Sequence, residues 1–262
     1  LIDELVVDDT EKGWYLQQLA RYTYPISTAK SIAIQKSAFK KNPQLLKPSS
    51  GIDYTKISYI HQNRLNNIRM YMRRFSNYSE LSLAVDAILE NLSFGTEAAK
   101  FESALKDIGE LLGYISQRPD KEIRKGPDNL WCGLNNYYLL FECKSEVSEN
   151  RQEITKHEAG QMNNHCAWFE DQYGRDIKVD RFMIIPTKNL SYEGDFTHNV
   201  RIIRRNRLKK LKDQIKSFVK ELKPYSLEEL SDATLQKLLE LHHLDIVDFS
   251  AQYSEEYYHN AK

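Results

Sequence analysis

Three side chains near the middle of the chain carry most of the chemistry the sequence offers: Asp128, Glu142 and Lys144. Asp128 follows Gly126-Pro127, a pair that fixes the backbone in a turn and delivers the carboxylate to the mouth of an apolar segment. Glu142 and Lys144 close the run Tyr138-Leu139-Leu140-Phe141-Glu142-Cys143-Lys144, in which two charges interrupt apolar and aromatic residues. Read as a strand, its period of two puts Leu140, Glu142 and Lys144 on one face and Leu139, Phe141 and Cys143 on the other. Burying a carboxylate beside an ammonium in such a strand is costly unless something compensates them. A divalent metal with its water is the compensation that makes chemical sense.

Pro127-Asp128, followed by Glu142-Cys143-Lys144 at the end of an apolar strand, resembles the active-site signature of the PD-(D/E)xK nuclease superfamily, which has the restriction-endonuclease-like fold. The bare pattern is short. Its context adds specificity: a turn before Asp128, an aromatic-rich hairpin, and a Glu-x-Lys pair leaving a hydrophobic strand. The resemblance covers residues 96–223 and reaches neither end of the chain. It implies a metal-dependent hydrolase of phosphodiester bonds in DNA, an endonuclease using Mg²⁺, with Mn²⁺ as substitute. Asp128, Glu142 and the backbone carbonyl of Cys143 would hold the ion, and Glu102 would join them directly or through water. Lys144 would orient or deprotonate the water, and a neighbouring cation and partial burial are expected to lower its pKa. Gln161, on the helix after the Glu-x-Lys strand, matches a glutamine that in many relatives supports the lysine or the substrate phosphate. For Glu102 and Gln161 the competing reading is an ordinary polar residue at the boundary of a buried face.

The elements that must position these groups are readable. A helix is expected over 97–112, with Phe101, Leu105, Ile108 and Leu112 at helical spacing and Thr96 as N-cap. Tyr114-Ile115-Ser116 starts an extended segment. Leu130–Leu134 and Tyr137–Lys144 form a hairpin about a two-residue Asn135-Asn136 turn. Helical composition returns over 149–173, where His157, Gln161, His165 and Trp168 share a stripe. These histidines and Cys166 raise the idea of zinc, but there is no HExxH pattern and no matching ligand cluster elsewhere. Residues 179–186 read as a strand buried on both faces, and 201–222 as a long basic helix whose charge invites DNA contact. Arg118, Lys121, Arg124 and Lys125 read either as phosphate contacts or as a solvated loop. This order is the α-β-β-β-α-β core of the resembled fold, an α/β class with a mixed central sheet.

Three regions follow: a mainly helical 1–94, the nuclease-like core 95–223 and an acidic helical tail 224–262. Within the first, helices are expected over 12–22, 54–75 and 80–92, with a linker at 49–53; the 54–75 segment is basic, and phosphate contact and a solvated face are equally good readings. In the tail, Ser226 and Ser231 offer N-caps.

Composition sets the outer limits. A chain of 262 residues that is 41% hydrophobic with zero net charge is neither disordered nor collagen-like. No apolar run is long enough to cross a bilayer, no signal-peptide pattern opens the chain, and the three cysteines show no CxxC spacing. No membrane role and a reduced, cytoplasmic setting are expected. Leu1 in place of Met suggests a piece of a longer protein or a processed one. Ten Lys or Arg against two acids over 201–223, then two against eight over 225–262, make any nucleic-acid surface local. Similar nuclease domains accompany helicase-like or other ATPase domains in bacterial antiviral defence and DNA repair. No Walker A pattern occurs, so such a motor lies outside this chain. A homodimer is allowed. Two other classes compete: a catalytically silent module that keeps the fold and binds nucleic acid or a partner protein, and a structural protein in which Glu142–Lys144 is a surface salt bridge.

Overall fold

The computed structural model describes residues 8–48, 54–59, 63–123, 125–148, 150–227 and 230–259. The chain divides into two compact units, one up to Thr55 and one from Lys56 onward.

The smaller unit is a helical hairpin of α1 (Asp9–Thr23) and α2 (Thr28–Lys41). Asp8 accepts from the Glu11 N–H and Ser27 from the Lys30 N–H, so each helix starts at a capping side chain. At Gly13 a Cβ would fall within 3 Å of Asn42 Cβ and the Ala38 carbonyl, so the close approach of the two helices depends on glycine. The expected helix over 12–22 lies inside α1, whereas α2 was not expected.

The larger unit runs α3 (Arg64–Met72), α4 (Tyr78–Asn91), α5 (Ala98–Leu111), β1 (Ile115–Gln117), α6 (Pro119–Ile123), β2 (Asn129–Gly133), β3 (Tyr137–Cys143) and α7 (Lys156–Tyr173). It continues through β4 (Val179–Ile184), β5 (Asn189–Leu190), β6 (Val200–Ile203), α8 (Arg205–Glu221), α9 (Asp232–Leu241), α10 (Ile246–Tyr253), β7 (Glu255–Glu256) and β8 (Tyr258–His259). The fold is α/β around a mixed six-stranded sheet ordered β1-β2-β3-β4-β6-β7. The pairs β3–β4 and β4–β6 are parallel and the others antiparallel, while β5 and β8 form a separate parallel pair.

The alternation read in β3 decides what lies on each side of this sheet. Leu139, Phe141 and Cys143 join one core with Phe101 and Leu105 of α5, Leu211 and Ile215 of α8, and Phe249 of α10. Leu140 and Tyr138 join the other, against Met162, Cys166 and Phe169 of α7. Helices therefore cover both faces, and Glu142, of the same parity as Leu140, points toward α7.

Several boundaries differ from expectation. Register sets Gly133 against Tyr137, so the hairpin turn is a three-residue 3₁₀ segment, Leu134–Asn136, with Asn135 and Asn136 at φ +58° and +53°. The N-cap of α5 is Glu97 rather than Thr96, without a side-chain hydrogen bond. Helix α7 starts at Lys156, where Thr155 and Glu158 form a capping box. Among the described residues of the segment 54–75, Arg64–Met72 is the helical part. Residues 201–203, expected as the start of the basic helix, belong instead to β6, which pairs with β4, and α8 begins at Arg205. The linker at 49–53, Arg124, Glu149 and the residues after Leu227 that Ser226 would cap lie outside the described residues.

The compact units do not divide at 94/95 and 223/224. Ile68, Met72, Leu81 and Leu89 before the first of these limits, and Leu235, Leu239 and Phe249 after the second, belong to the same core as α5 and α8. The tail also caps the sheet: β7 pairs antiparallel with β6. Cys132, Cys143 and Cys166 are free and buried, and among the described residues no helix is long and apolar enough to cross a membrane.

Candidate active site

Asp128, Glu142 and Lys144 meet in a cleft of about 420 Å³ at the carboxyl end of β3, together with Glu102, Gln161 and the Cys143 backbone. The antiparallel register that sets Asn129 against Phe141 carries Asp128, one step beyond the ladder, to the position opposite Glu142. There the Cys143 N–H donates to Asp128 Oδ2 at 2.6 Å. The turn that brings Asp128 in is held from α7. Gly126 sits at φ +87°, and a Cβ there would lie 2.8 Å from the Trp168 ring. Trp168, at the end of the stripe read on α7, thus supports the turn.

Glu142 is 2% exposed, so its charge must be met inside the protein. Lys144 Nζ lies 2.7 Å from Glu142 Oε1 and donates to Gln161 Oε1 at 2.8 Å. His165 Nδ1 lies 2.6 Å from Glu142 Oε2, but their alignment leaves both atoms without a hydrogen bond of good geometry. Glu102, on α5, is ion-paired with Arg118, and its backbone carbonyl accepts from Asn129 Nδ2 at 3.0 Å. All five side chains expected from the sequence line one cleft.

The electrostatics divide these acids. Burial is the largest influence on Asp128, although some of its surface faces the cleft, and with Glu142 and Glu102 it pushes the carboxyl well above its usual range. Burial also pushes Glu142 up, but His165 and then Lys144 outweigh it and hold the group below the usual glutamate range. Glu102 is raised by burial against the pull of Arg118. For Lys144 the expectation of a lowered pKa is corrected. Burial does push it down, but Glu142 and Asp128 outweigh burial and raise it, because its neighbours here are carboxylates.

Three further residues went unread. His165 was seen on the α7 stripe but considered only for zinc; its four-residue spacing from Gln161 was the available signal. Asp120, on α6, lines the cleft as a further acid and raises Glu102. Arg118, read with the basic residues before the turn, pairs instead with Glu102.

Does this donor set suit a hard divalent cation? Among the described residues no group of three or more His, Cys, Asp or Glu side chains is already gathered as a metal cage. Glu142 and Glu102 are engaged by Lys144 and Arg118, and Asp128 by a backbone N–H. The chemistry of the set nonetheless fits. Its donors are carboxylate oxygens, Asp128 is destabilised by two like charges, and Glu142 Oε2 is buried without a well-formed hydrogen bond.

Comparison with family models, with curated proteins and with solved structures finds no match to this chain.

Proposed function

We propose that the chain is a divalent-metal-dependent nuclease of the PD-(D/E)xK type, with a restriction-endonuclease-like core formed by α5, β1, β2, β3, α7 and β4, acting on DNA. The observation that carries this reading is the meeting of Asp128, Glu142 and Lys144, with Glu102 and Gln161, in one cleft. Asp128, Glu142 and the Cys143 carbonyl are the groups that would hold Mg²⁺ or Mn²⁺, with Glu102 beside them. When bound, the cation supplies Lewis-acid activation of water and neutralises charge building up at phosphorus.

The chain's own residues do the rest. Lys144, kept protonated by its acidic neighbours, is a charged hydrogen-bond donor for a phosphate oxygen or the attacking water. Gln161 fixes the Lys144 ammonium through its amide oxygen, so the donor is already oriented. The Cys143 N–H fixes Asp128, and Trp168 behind Gly126 fixes the turn that carries it. Lys144 acts in this reading by donation more than by proton abstraction, a change from the sequence-based expectation.

The second reading, a silent module that binds nucleic acid or a partner protein, is favoured by one observation: Lys144 and Arg118 already pair with Glu142 Oε1 and Glu102. Incubating supercoiled plasmid with the protein in Mg²⁺, Mn²⁺ or EDTA separates the two. The nuclease reading expects nicked or linear product with either metal and none in EDTA. Tight DNA binding without any product would establish the silent module instead.

A further inference from the structure

We propose that one flank of α8 is a docking ladder for duplex DNA that leads to the cleft; the choice of ligand rests on the nuclease reading. Helix α8 buries Leu208, Leu211, Ile215, Phe218 and Val219 and carries its cations on two flanks. On the first flank the C-terminal segment meets them. Arg204 pairs with Glu255 at 2.5 Å, Lys210 Nζ donates to Gln252 Oε1 at 2.7 Å, and Arg207 donates to the Gln252 carbonyl at 3.3 Å. The second flank holds Arg205, Lys209, Lys212, Lys216 and Lys220, and Lys223 just past the helix end continues the row, with spacings of four, three, four, four and three residues. That spacing is a single helical stripe.

The stripe faces α4 across two successive grooves. Leu92, Ser93 and Phe94 line the first with Arg205, Lys209, Lys212, Lys216 and one acid, Asp213, and Tyr78, Val85 and Asp86 line the second with Lys216, Lys220 and Lys223. At 1.5 Å rise per residue the ladder is about 27 Å long. A straight row of cations of that length matches a rod of phosphates better than any short anion. Its counter-charges lie at the surface: the exposed Asp213 and Glu90 act on Lys212. Lys216 meets Asp86 at 3.1 Å with both side chains about half exposed, at 54% and 55%, a pair easily exchanged for phosphate. Burial and then Lys216 hold Lys212 below its ordinary range, as expected where like charges crowd.

The ladder ends beside the cleft along two routes. Lys212 Nζ donates to Ser93 Oγ at 2.6 Å, and two residues on Gly95 N–H donates to the Ser145 carbonyl at 2.8 Å. Ser145 lines the cleft next to Lys144. Along the sheet, Arg204 and Arg205 follow Ile203, which lies opposite Ile184, and the Ile184 carbonyl accepts from the Lys144 N–H at 2.8 Å. The first cations of α8 therefore stand at the same strand ends as the acids.

The test is fluorescence anisotropy of a labelled 20-base-pair duplex in EDTA, over a series of salt concentrations. It compares wild type, the triple variant Lys209→Gln/Lys216→Gln/Lys220→Gln, and a first-flank control, Arg207→Gln/Lys210→Gln. The triple variant is expected to bind at least about tenfold more weakly, with a log Kd against log salt slope shallower by about 2.7, or 0.9 per phosphate contact. Its melting temperature should match wild type, and the control should keep the full slope. An unchanged slope in the triple variant, or equal loss in the control, overturns the ladder. A wild type that cleaves plasmid while the triple variant keeps its slope rejects the ladder alone. A wild type that binds through these lysines yet never cleaves supports the ladder and rejects the nuclease reading.

Discussion

Two glutamates in the larger unit are each surrounded by a histidine and basic side chains, and they differ in the sign of what remains. Glu170, near the end of α7, accepts from or pairs with His198 at 2.9 Å, Arg175 at 3.5 Å and Arg181 at 3.9 Å. One carboxylate there faces three basic groups, with His198 the largest influence lowering its pKa. Glu142 has Lys144 and His165 and Glu102 has Arg118, but Asp128 shares their cleft and is driven up by burial and by both carboxylates. The first arrangement is complete as an internal ion cluster. In the second, two carboxylates press on Asp128 and outweigh the pull of Lys144, a condition that favours recruiting an external cation. Net sign, more than the presence of a His–Glu–base contact, separates a structural cluster from a candidate metal site.

Substitutions that act on one cluster and spare the other sharpen this contrast. The largest effect is expected at Lys144→Ala or Asp128→Ala, each lowering Mg²⁺-dependent plasmid nicking about 10³-fold with the far-UV circular dichroism unchanged. Glu170→Gln should leave nicking at the wild-type rate; an equal loss in Glu170→Gln would erase the distinction. Next comes Glu142→Gln, which strips Lys144 of its buried partner and should cost about 3 kcal/mol in urea unfolding. Glu142 is held below the usual range in the folded state. Its stabilising contribution is therefore present above the ordinary glutamate range and is lost as pH falls through the folded value.

Adding Mg²⁺ at about a hundred times its dissociation constant should stabilise wild type and Glu170→Gln by about 2.7 kcal/mol and leave Asp128→Ala unmoved. Thermal shifts of the three proteins with and without EDTA read this out. The smallest effect is opposite in sign to that of Glu142→Gln. Asp128 has a raised folded pKa, so its ionised form destabilises the metal-free protein increasingly as pH rises from the ordinary aspartate range through the folded value. Asp128→Asn should therefore stabilise the protein in EDTA near neutral pH by about 1 kcal/mol while abolishing nicking. Destabilisation by Asp128→Asn under those conditions would mean that the acid is not under electrostatic strain.

What could be read from the sequence followed local pattern. In β3 the parity of Leu139, Phe141 and Cys143 against Leu140, Glu142 and Lys144 was plain, and the two cores divide along it. Gln161 was found because helical spacing and the resemblance agreed on it, and it holds Lys144. The start of α8 differs because β6 passes into the helix at Arg204 with neither Gly nor Pro between, so basic composition runs backward over residues 201–203 of the strand. Strand β7, Glu255–Glu256, has no strand propensity of its own; its pairing to Arg201 and Ile202 is imposed by tertiary contact. The roles of Arg118, Asp120 and His165 likewise come from elements distant in sequence that close over one cleft, which no window of residues displays.

The most direct test of the proposed metal site is a crystal of the protein soaked in Mn²⁺ and measured for anomalous scattering at the manganese edge. The account predicts a peak within ligand distance of the carboxylates of Asp128 and Glu142. A well-diffracting soaked crystal with no peak between those two side chains would contradict it.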